Sequence, residues 1–373
     1  MKKIFIYLVN VDSFFVSHRL NVAKKVLNSG YEVHIATEFT KYRNKLNKMG
    51  FITHDISFKR NSINIFNLIT CFYQIYKLFL KIKPNLVHLI SAKPIIFGGI
   101  NSYIASIDAM VISITGLGSI FVRDNFFSKI LRKIIITVYK LIFRHPNIKV
   151  ILQNKNDLRY LIKNSNLNKK KTEIIGGMGV NLNKFKPIKS NYNFPLILMA
   201  SRIIGDKGVY EFINSAKILN KKKFVGKFYL VGDTDLNNPS NIKEEEIKIW
   251  IKNKIIKYYK YQSNIYKILK KSTIVVLPSY REGFPKILME AAACGKPIIT
   301  TNVPGCRDAI INGVTGILVK PKNFKNLAKA IYELSNDKKK LSYMGKNARK
   351  FAEKNFDTKY IVDKHLQIYN SLL

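Results

Sequence analysis

Ile274-Val-Val-Leu-Pro278-Ser-Tyr-Arg-Glu282-Gly-Phe-Pro285-Lys-Ile-Leu-Met-Glu290-Ala-Ala-Ala-Cys-Gly295-Lys-Pro-Ile-Ile-Thr-Thr301 sets the architecture of this chain. An apolar run ends at Pro278, a loop with Gly283 follows, a helical pattern covers Ile287–Cys294, and a second apolar run covers Pro297–Thr301. Strands that are apolar at nearly every position suit a parallel sheet covered on both faces. Pro285, with its φ already helical and no N–H to lose, is predicted as the first helical residue. This is one strand–helix–strand unit, and its like recurs toward both ends.

Toward the amino terminus, strands are predicted at Lys3–Val9, Glu32–Thr37, Leu86–Ile90, Met110–Ile114 and Val150–Gln153. Helices are predicted at His18–Ser29, stopped by Gly30, and at Ile63–Ile82, closed by Pro84. After Gly176–Phe185 comes a polar stretch, Lys186–Phe194, flanked by Pro187 and Pro195. The alternation then restarts with Leu196–Ala200, Val209–Leu219, Lys227–Val231 and Ile265–Leu269 before the quoted unit. The Asn312-Gly313 turn and a helix at Phe324–Leu334 follow it. The expectation is an α/β chain of two doubly wound, Rossmann-like domains, residues 1–186 and 195–355, with a terminal helix over 356–373 packing back on the first. Ligands of such sheets bind beyond the carboxyl ends of the strands, so the chemistry is expected in loops facing a central cleft. The length agrees, since 373 residues exceed what one hydrophobic core organises.

Lys and Arg number 64 against 23 Asp and Glu, a formal net charge of +41. That points to an anionic partner: nucleic acid, acidic lipid or a phosphorylated substrate. With 47% hydrophobic and 12% aromatic residues the chain builds cores, which excludes a disordered basic tail. Part of the lysine excess accompanies heavy use of Ile and Asn and is compositional. Cys71, Cys294 and Cys306 are too scattered for a disulfide framework or a cysteine-rich zinc site, and a reducing compartment fits. Met1–Val9 is too short for a signal segment. Pro94–Val122 is broken by Asp108 and four glycines, and reads as a helix and a buried strand rather than a membrane span. A cytoplasmic protein is expected, soluble or peripheral on the inner membrane face.

Glu282 and Glu290 bracket the start of the quoted helix. Eight helical residues rise about 12 Å, beyond the about 5–9.5 Å of a glycosidase carboxyl pair, so the two are expected to grip separate ends of an elongated ligand. Between them the first-turn N–H groups of Lys286 and Ile287 offer an anion site. The glutamates alone read more readily as a solvated helix whose amino-terminal acid suits the helix dipole. A second loop, Met199-Ala-Ser-Arg202-Ile-Ile-Gly205-Asp-Lys207-Gly208, tips the balance. Its guanidinium and ammonium make a diphosphate clamp, and its glycines allow close backbone approach.

Upstream lies Gly176-Gly-Met-Gly179-Val-Asn181-Leu-Asn-Lys-Phe185, and downstream Pro304-Gly305-Cys-Arg-Asp308 and Asn312-Gly313-Val-Thr-Gly316. The Glu-x7-Glu block, the Arg-x4-Lys-Gly loop, the Gly-Val-Asn-x3-Phe segment and the Gly-x2-Gly-Ile-Leu-Val turn together resemble the retaining glycosyltransferases of family 4, with the GT-B fold. These pieces cover most of residues 172–320. Phe15-x2-His18-Arg19, Lys93-Pro94-x2-Phe-Gly98 and Thr115-Gly-Leu-Gly118 are similar to a subgroup that extends undecaprenyl-diphosphate-linked glycans in O-antigen, capsule and bacterial N-glycan assembly.

The resemblance implies roles residue by residue. Arg202 and Lys207 would hold the donor's nucleoside diphosphate and stabilise its charge on departure. Glu282, the third catalytic residue, would hold the donor sugar with the backbone of Gly283, Phe284, Pro285 and Lys286. Glu290 would take the ribose hydroxyls, and Gly208 would allow close approach. His18, Arg19, Lys93, Thr115 and Gly116 fall on the acceptor side. The donor would be a nucleoside-diphosphate sugar, no metal would be needed, and a donor phosphate oxygen would take the acceptor proton.

This chain departs from the family twice. The loop Asn10-Val-Asp12-Ser13-Phe14-Phe15 has no glycine where many members are glycine-rich. Thr115-Gly116 stand where many carry a histidine; His18 is either its substitute or a structural residue at a helix start. Asp233-Thr-Asp235 mimics the metal-binding Asp-x-Asp of the other major glycosyltransferase fold but reads as a polar turn after a strand. Neither a His-Glu-x2-His nor a Gly-x4-Gly-Lys-Ser/Thr motif occurs, and the six histidines are dispersed.

Phe126–Lys149 carries six basic residues and no acid. Lys129, Arg132, Lys133, Lys140 and Arg144 share about 120° of one helix face, with Leu131, Ile134, Ile135, Val138, Leu141 and Ile142 opposite. The segment is an interfacial helix on an anionic membrane, a domain helix with its apolar side on the sheet, or both.

The expected function is transfer of a hexosyl or N-acetylhexosaminyl group from a nucleotide sugar to a polyprenyl-diphosphate-linked acceptor at an anionic membrane surface. The rivals are a GT-B enzyme without a lipid acceptor, such as a soluble transferase or nucleotide-sugar epimerase, and a basic nucleic-acid-binding protein. The second lacks any recognisable binding module, and nucleic acid is not an expected partner.

Overall fold

The computed structural model describes residues 2–59, 64–121, 125–188, 194–236 and 238–373. Two compact units emerge, one of residues 1–178 with 359–373 and one of residues 179–358.

The first unit runs β1 (Ile4–Val11), α1 (Asp12–His18), α2 (Leu20–Asn28), β2 (Glu32–Glu38), α3 (Arg43–Asn47), β3 (Ile52–Asp55), α4 (Ile65–Ile82), β4 (Leu86–Ile90), α5 (Ala92–Ile104), β5 (Ala109–Ile114), α6 (Phe126–Ile142), β6 (Ile148–Leu152), α7 (Lys155–Ser165) and β7 (Thr172–Ile174). The strands form one parallel sheet in the order β3-β2-β1-β4-β5-β6-β7. Successive strand residues face opposite sides, and the core divides accordingly. Ile6, Leu8, Val87, Leu89, Met110 and Ile112 pack with residues of α4 to α7, whereas Phe5, Tyr7, Val9, Leu86, Ile90 and Val111 pack with residues of α1, α2 and the chain's last helix. The Gly98-Gly99 pair lets α5 sit tightly. A Cβ at Gly98 would stand 2.6 Å from Leu89 Cδ2, and one at Gly99 2.6 Å from Ile142 Cδ1. The apolar 94–122 stretch accordingly holds most of α5 and all of β5, as a helix and a buried strand; Val122, like Ile63 of the expected 63–82 helix, lies outside the described residues.

The glycine-free loop after β1 is tied down through Asp12. The chain enters α1 at once, and the fully buried Asp12 carboxylate accepts the N–H groups of Thr40, Lys41 and Tyr42 at 3.0, 2.9 and 2.8 Å and the Thr40 hydroxyl at 2.7 Å. Those bonds pin the loop after β2 to the start of α1.

The second unit runs β8 (Leu196–Ala200), α8 (Val209–Lys221), β9 (Lys227–Val231), α9 (Glu244–Lys252), β10 (Lys257–Tyr259), α10 (Tyr266–Leu269), β11 (Ile274–Leu277), α11 (Lys286–Ala293), β12 (Ile298–Thr301), β13 (Gly316–Val319), α12 (Phe324–Asn336) and α13 (Lys338–Asn355); α14 (Thr358–Asn370) then returns to the first unit. Its parallel sheet has the order β10-β9-β8-β11-β12-β13. The Gly-x2-Gly-Ile-Leu-Val segment, read as a turn, is a turn followed by the edge strand β13, where a Cβ on Gly316 would meet Ile298 O at 2.2 Å.

The chain crosses between units at Gly179, ahead of the polar stretch after Lys186. Val180 N–H donates to Phe356 O at 2.7 Å, Thr358 N–H to Val180 O at 3.2 Å, and Arg349 Nη1 to Phe185 O at 2.7 Å, so residues 180–185 are bound into the second unit. Residues 189–193 of the polar stretch lie outside the described residues. On its return, α14 is bonded through Tyr369, whose hydroxyl stands 2.8 Å from His88 Nδ1 and 3.4 Å from the Tyr7 hydroxyl.

Candidate active site

In the second sheet β8 leads to β9 on one side, while β11 leads to β12 on the other. The loops leaving β8 and β11 therefore diverge, and a crevice at the carboxyl edge between them is the place where doubly wound sheets bind ligands. Backbone contacts knit these loops together. Gly208 has φ +74°, and a Cβ there would lie 2.1 Å from Pro278 O. Tyr280 N–H donates to Asp206 O at 3.0 Å and Glu282 N–H to Pro304 O at 3.2 Å. A Cβ on Gly305 would stand 2.4 Å from Gly283 O. The hydroxyl of Thr301, on β12, also bonds the carbonyl of Ser279.

This frame gathers the charged groups. Lys207 Nζ donates to Glu282 Oε1 at 2.5 Å, and Ser279 Oγ donates to the same oxygen at 2.7 Å. The Lys207 and Glu282 side chains are largely buried. Arg202 Nη1 pairs with Asp235 Oδ2 at 2.6 Å in a more exposed position. Lys286 Nζ pairs with Glu290 Oε1 at 3.0 Å, one turn along α11. Glu290 is only 4% exposed; burial pushes its carboxyl pKa up, and Lys286 works against that shift.

Pro285 caps α11 in an extended conformation, ψ 121°, and the helix begins at Lys286. The expected start at Pro285 is thus one residue early, and Glu282 belongs to the preceding loop rather than to the helix, so the eight-residue helical spacing does not apply. The N–H groups of Lys286 and Ile287 fall in the first turn, which has no intrahelical acceptor for them. Phe284 packs its ring on Phe356 at 5.5 Å and so anchors the loop. Cys306 is fully buried, and burial with Glu282 nearby raises its thiol pKa to about 12, which makes it a packing residue.

The donor-side residues read from the sequence thus collect in the loops and helix start at one edge of the second sheet. Two participants were missed. Ser279 sits inside the quoted block and steadies Glu282. Asp235 reads in the sequence as part of a polar turn. Asp233 accepts the Tyr261 N–H at 2.9 Å, tying the loop after β9 to the one after β10. Asp235, by contrast, is brought to Arg202 by the parallel bridge between Ile203 and Thr234, a pairing that spacing along the chain does not reveal.

The five acceptor-side residues lie in the first unit. His18 ends α1 with its ring stacked on Phe14 at 4.0 Å and its Nδ1 2.6 Å from Ser17 Oγ. Arg19 is 2% exposed, with Nη1 on His18 O at 3.2 Å. Burial lowers its pKa against the opposing influence of the nearby Tyr369 and Tyr7. This corrects the expectation that Arg19 faces an acceptor, because α14 covers it. Lys93 Nζ donates to Phe58 O at 3.0 Å and Lys59 O at 2.9 Å, bracing the segment ahead of α4. Thr115 and Gly116, the latter at φ +122°, follow β5. Among the described residues no group of three or more His, Cys, Asp or Glu could hold a metal ion.

Comparison with known proteins agrees with this geometry. Residues 180–351 match the family described as glycosyl transferases group 1, and residues 5–155 match glycosyl transferase 4-like. The N,N'-diacetylbacillosaminyl-diphospho-undecaprenol alpha-1,3-N-acetylgalactosaminyltransferase of Campylobacter jejuni is 30% identical over 98% of both chains. The capsular polysaccharide biosynthesis glycosyltransferase CapM of Staphylococcus aureus is 29% identical over 92% of this chain and 90% of its own. Among solved structures, Anabaena HepE in complex with UDP superposes with a TM-score of 0.80 at 18% identity, covering 100% of both chains, which supports the fold. The expected family and fold class are borne out: this chain is a glycosyltransferase, a member of the group 1 and 4-like families, built from the two Rossmann-like units of the GT-B fold.

Proposed function

We propose that the enzyme transfers a sugar from a nucleoside-diphosphate donor to a polyprenyl-diphosphate-linked saccharide, with retention at the anomeric carbon, as a peripheral protein on the cytoplasmic membrane face. The observation that carries this reading is the set of cations and helix N–H groups in the loops beyond the carboxyl ends of β8 and β11, in a chain matched over 98% of its length by a relative named for an undecaprenyl-diphosphate acceptor. As the glycosyl–phosphate bond breaks, negative charge grows on the leaving diphosphate. Lys207 and Arg202 are already held in place by Glu282 and Asp235, so they stabilise that charge with little reorganisation. The first N–H groups of α11 add to them. Glu290 accepts the ribose hydroxyls, Glu282 and the backbone of residues 283–286 orient the sugar, and the acceptor proton passes to a donor phosphate oxygen. Because cationic side chains carry the charge, transfer is expected to persist in EDTA.

The test is to incubate the purified chain with a panel of nucleotide sugars and an undecaprenyl-diphosphate-linked N-acetylhexosamine. Mass spectrometry should show a lipid heavier by one sugar, matched by released nucleoside diphosphate, and NMR should show the donor's anomeric configuration retained. An epimerised sugar, or nucleotide release without glycosylated lipid across the panel, would overturn the reading.

A pH effect follows from Glu290. The ionised carboxylate is the form that accepts ribose hydroxyls, so kcat/KM should fall as the pH drops through its raised pKa. Lys286→Met removes the group that holds this pKa down, and the acid limb should move to higher pH. A limb that stays in place would assign it to another residue.

A further inference from the structure

Two helices of the first unit carry exposed apolar stripes with the same spacing. Phe66, Ile69, Tyr73 and Leu80 of α4, and Phe127, Ile130, Ile134 and Leu141 of α6, both follow i, i+3, i+7, i+14. Their exposure runs from 43% at Leu80 to 76% at Phe66 in α4, and from 44% at Ile130 to 65% at Phe127 in α6. At about 100° per residue each set falls within roughly 60° of the helix circumference. The residues each helix buries are Cys71, Ile75, Leu78 and Phe79 in α4, and Ile135, Ile136, Tyr139 and Ile142 in α6. They lie roughly 140–165° around the helix from the stripes, by the same geometry, so both stripes point away from the sheet.

The two helices also share a direction, since each joins consecutive parallel strands of one sheet. α5 packs between them; at about 8–10 Å per helix–helix contact, the stripes run roughly 20 Å apart. Eight large apolar side chains exposed in two regular stripes on one layer are more than the singly scattered apolar residues that soluble surfaces ordinarily carry.

The charge around the patch selects its occupant. From Ile56 to Asn156 the sequence has 14 Lys and Arg against only Asp108 and Asp124. Lys129, Lys133 and Lys140 are exposed along α6, and Lys77 Nζ lies 4.6 Å from the Tyr73 ring centroid. A second copy of this face would oppose lysine to lysine. An anionic bilayer matches both the apolar stripes and their basic borders. We propose that the outer face of the α4–α5–α6 layer docks on an anionic phospholipid bilayer, with α4 and α6 lying in the interfacial plane. α4 is long and apolar enough to cross a membrane, but its inner face belongs to the core with Ile6, Leu8 and Val87, so withdrawing it would open that core. The helix lies on the membrane and does not span it.

This inference deepens the lipid-linked acceptor reading and rests on it for its purpose, while its physics stands on the stripes. The full-length enzyme is floated with vesicles of phosphatidylcholine, with and without phosphatidylglycerol. Binding should be at least about tenfold stronger to the anionic vesicles and should weaken with salt. Phe66→Ser combined with Phe127→Ser should lower it by about tenfold or more, as should Lys129→Glu with Lys133→Glu, while Ile249→Ser, on the exposed face of α9, should not. Thermal unfolding and transfer to a water-soluble short-chain acceptor should match the wild type in all of them. Equal binding to neutral vesicles, or double variants that float like the wild type, would overturn the proposal. So would a wild-type dimer that the double variant dissociates, which would assign the face to a second copy. A wild-type enzyme that floats but transfers to no acceptor would overturn the functional reading and leave the docking surface standing.

Discussion

Lys207→Ala is expected to lower kcat about 10²–10³-fold, the loss usual when one preorganised donor to a developing anion is removed. The ammonium is largely buried and fixed at 2.5 Å from Glu282 Oε1, which Ser279 also holds. Truncation therefore does two things. On the proposed mechanism it removes the charge facing the leaving diphosphate, and it leaves Glu282 without its cation beside the donor. Lys207→Arg should recover little, because a planar fork does not reproduce a point charge seated in a fixed position. Steady-state kinetics at saturating donor would measure the loss, with thermal unfolding as the control for folding. A cycle with Glu282→Gln adds information: if Glu282 acts partly by orienting Lys207, the double variant will lose less than the two single losses combined. A kcat within threefold of wild type for Lys207→Ala would remove Lys207 from the mechanism.

Gly208→Ala should be among the most damaging single methyl groups at the carboxyl edge of the second sheet. At φ +74° a side chain costs about 1–2 kcal/mol, and the new Cβ would stand 2.1 Å from the Pro278 carbonyl oxygen. Relieving that overlap by moving the backbone adds about 1–3 kcal/mol. The loops carrying Lys207 and Glu282 would separate, so transfer should fall more than 100-fold, an extrapolation from the cost of ångström-scale misplacement of catalytic groups of about 10²-fold. Gly30→Ala supplies the comparison. Its φ is +91°, but nothing lies within 4 Å of the Cβ, so only the conformational cost remains, about 1–2 kcal/mol, and activity should be kept. Urea unfolding of both variants measures the difference. Equal destabilisation would mean that the close approach of Gly208 to Pro278 contributes nothing.

The quoted block was legible because its decisive features are local. Apolar runs, a proline before a helix and glycines at loop positions each act over a few neighbouring residues. Arg202, Lys207, Glu282 and Glu290 could be read as a set from their order and their family resemblance. Asp235 could not, because it meets Arg202 only through the bridge of its neighbour Thr234 to Ile203. Arg19 looked available beside His18, yet α14, more than three hundred residues later in the chain, buries it. Phe126–Lys149 showed a basic arc and an apolar arc, and its sequence left a membrane helix and a domain helix equally open. The sheet consumes Ile135, Ile136, Tyr139 and Ile142 and leaves Ile130, Ile134 and Leu141 exposed. Only packing could divide the apolar residues in that way.

By itself, then, the sequence determined the repeated βα pattern and the two doubly wound units, since hydrophobic period and turn chemistry act between near neighbours; the GT-B assignment and the donor-side set came through the family resemblance of its motifs. The tertiary structure decided which carboxylate holds which cation, which basic residues are covered, and which apolar faces remain open. Those outcomes depend on strand order and on helices returning from distant segments, and spacing along one chain carries no record of either.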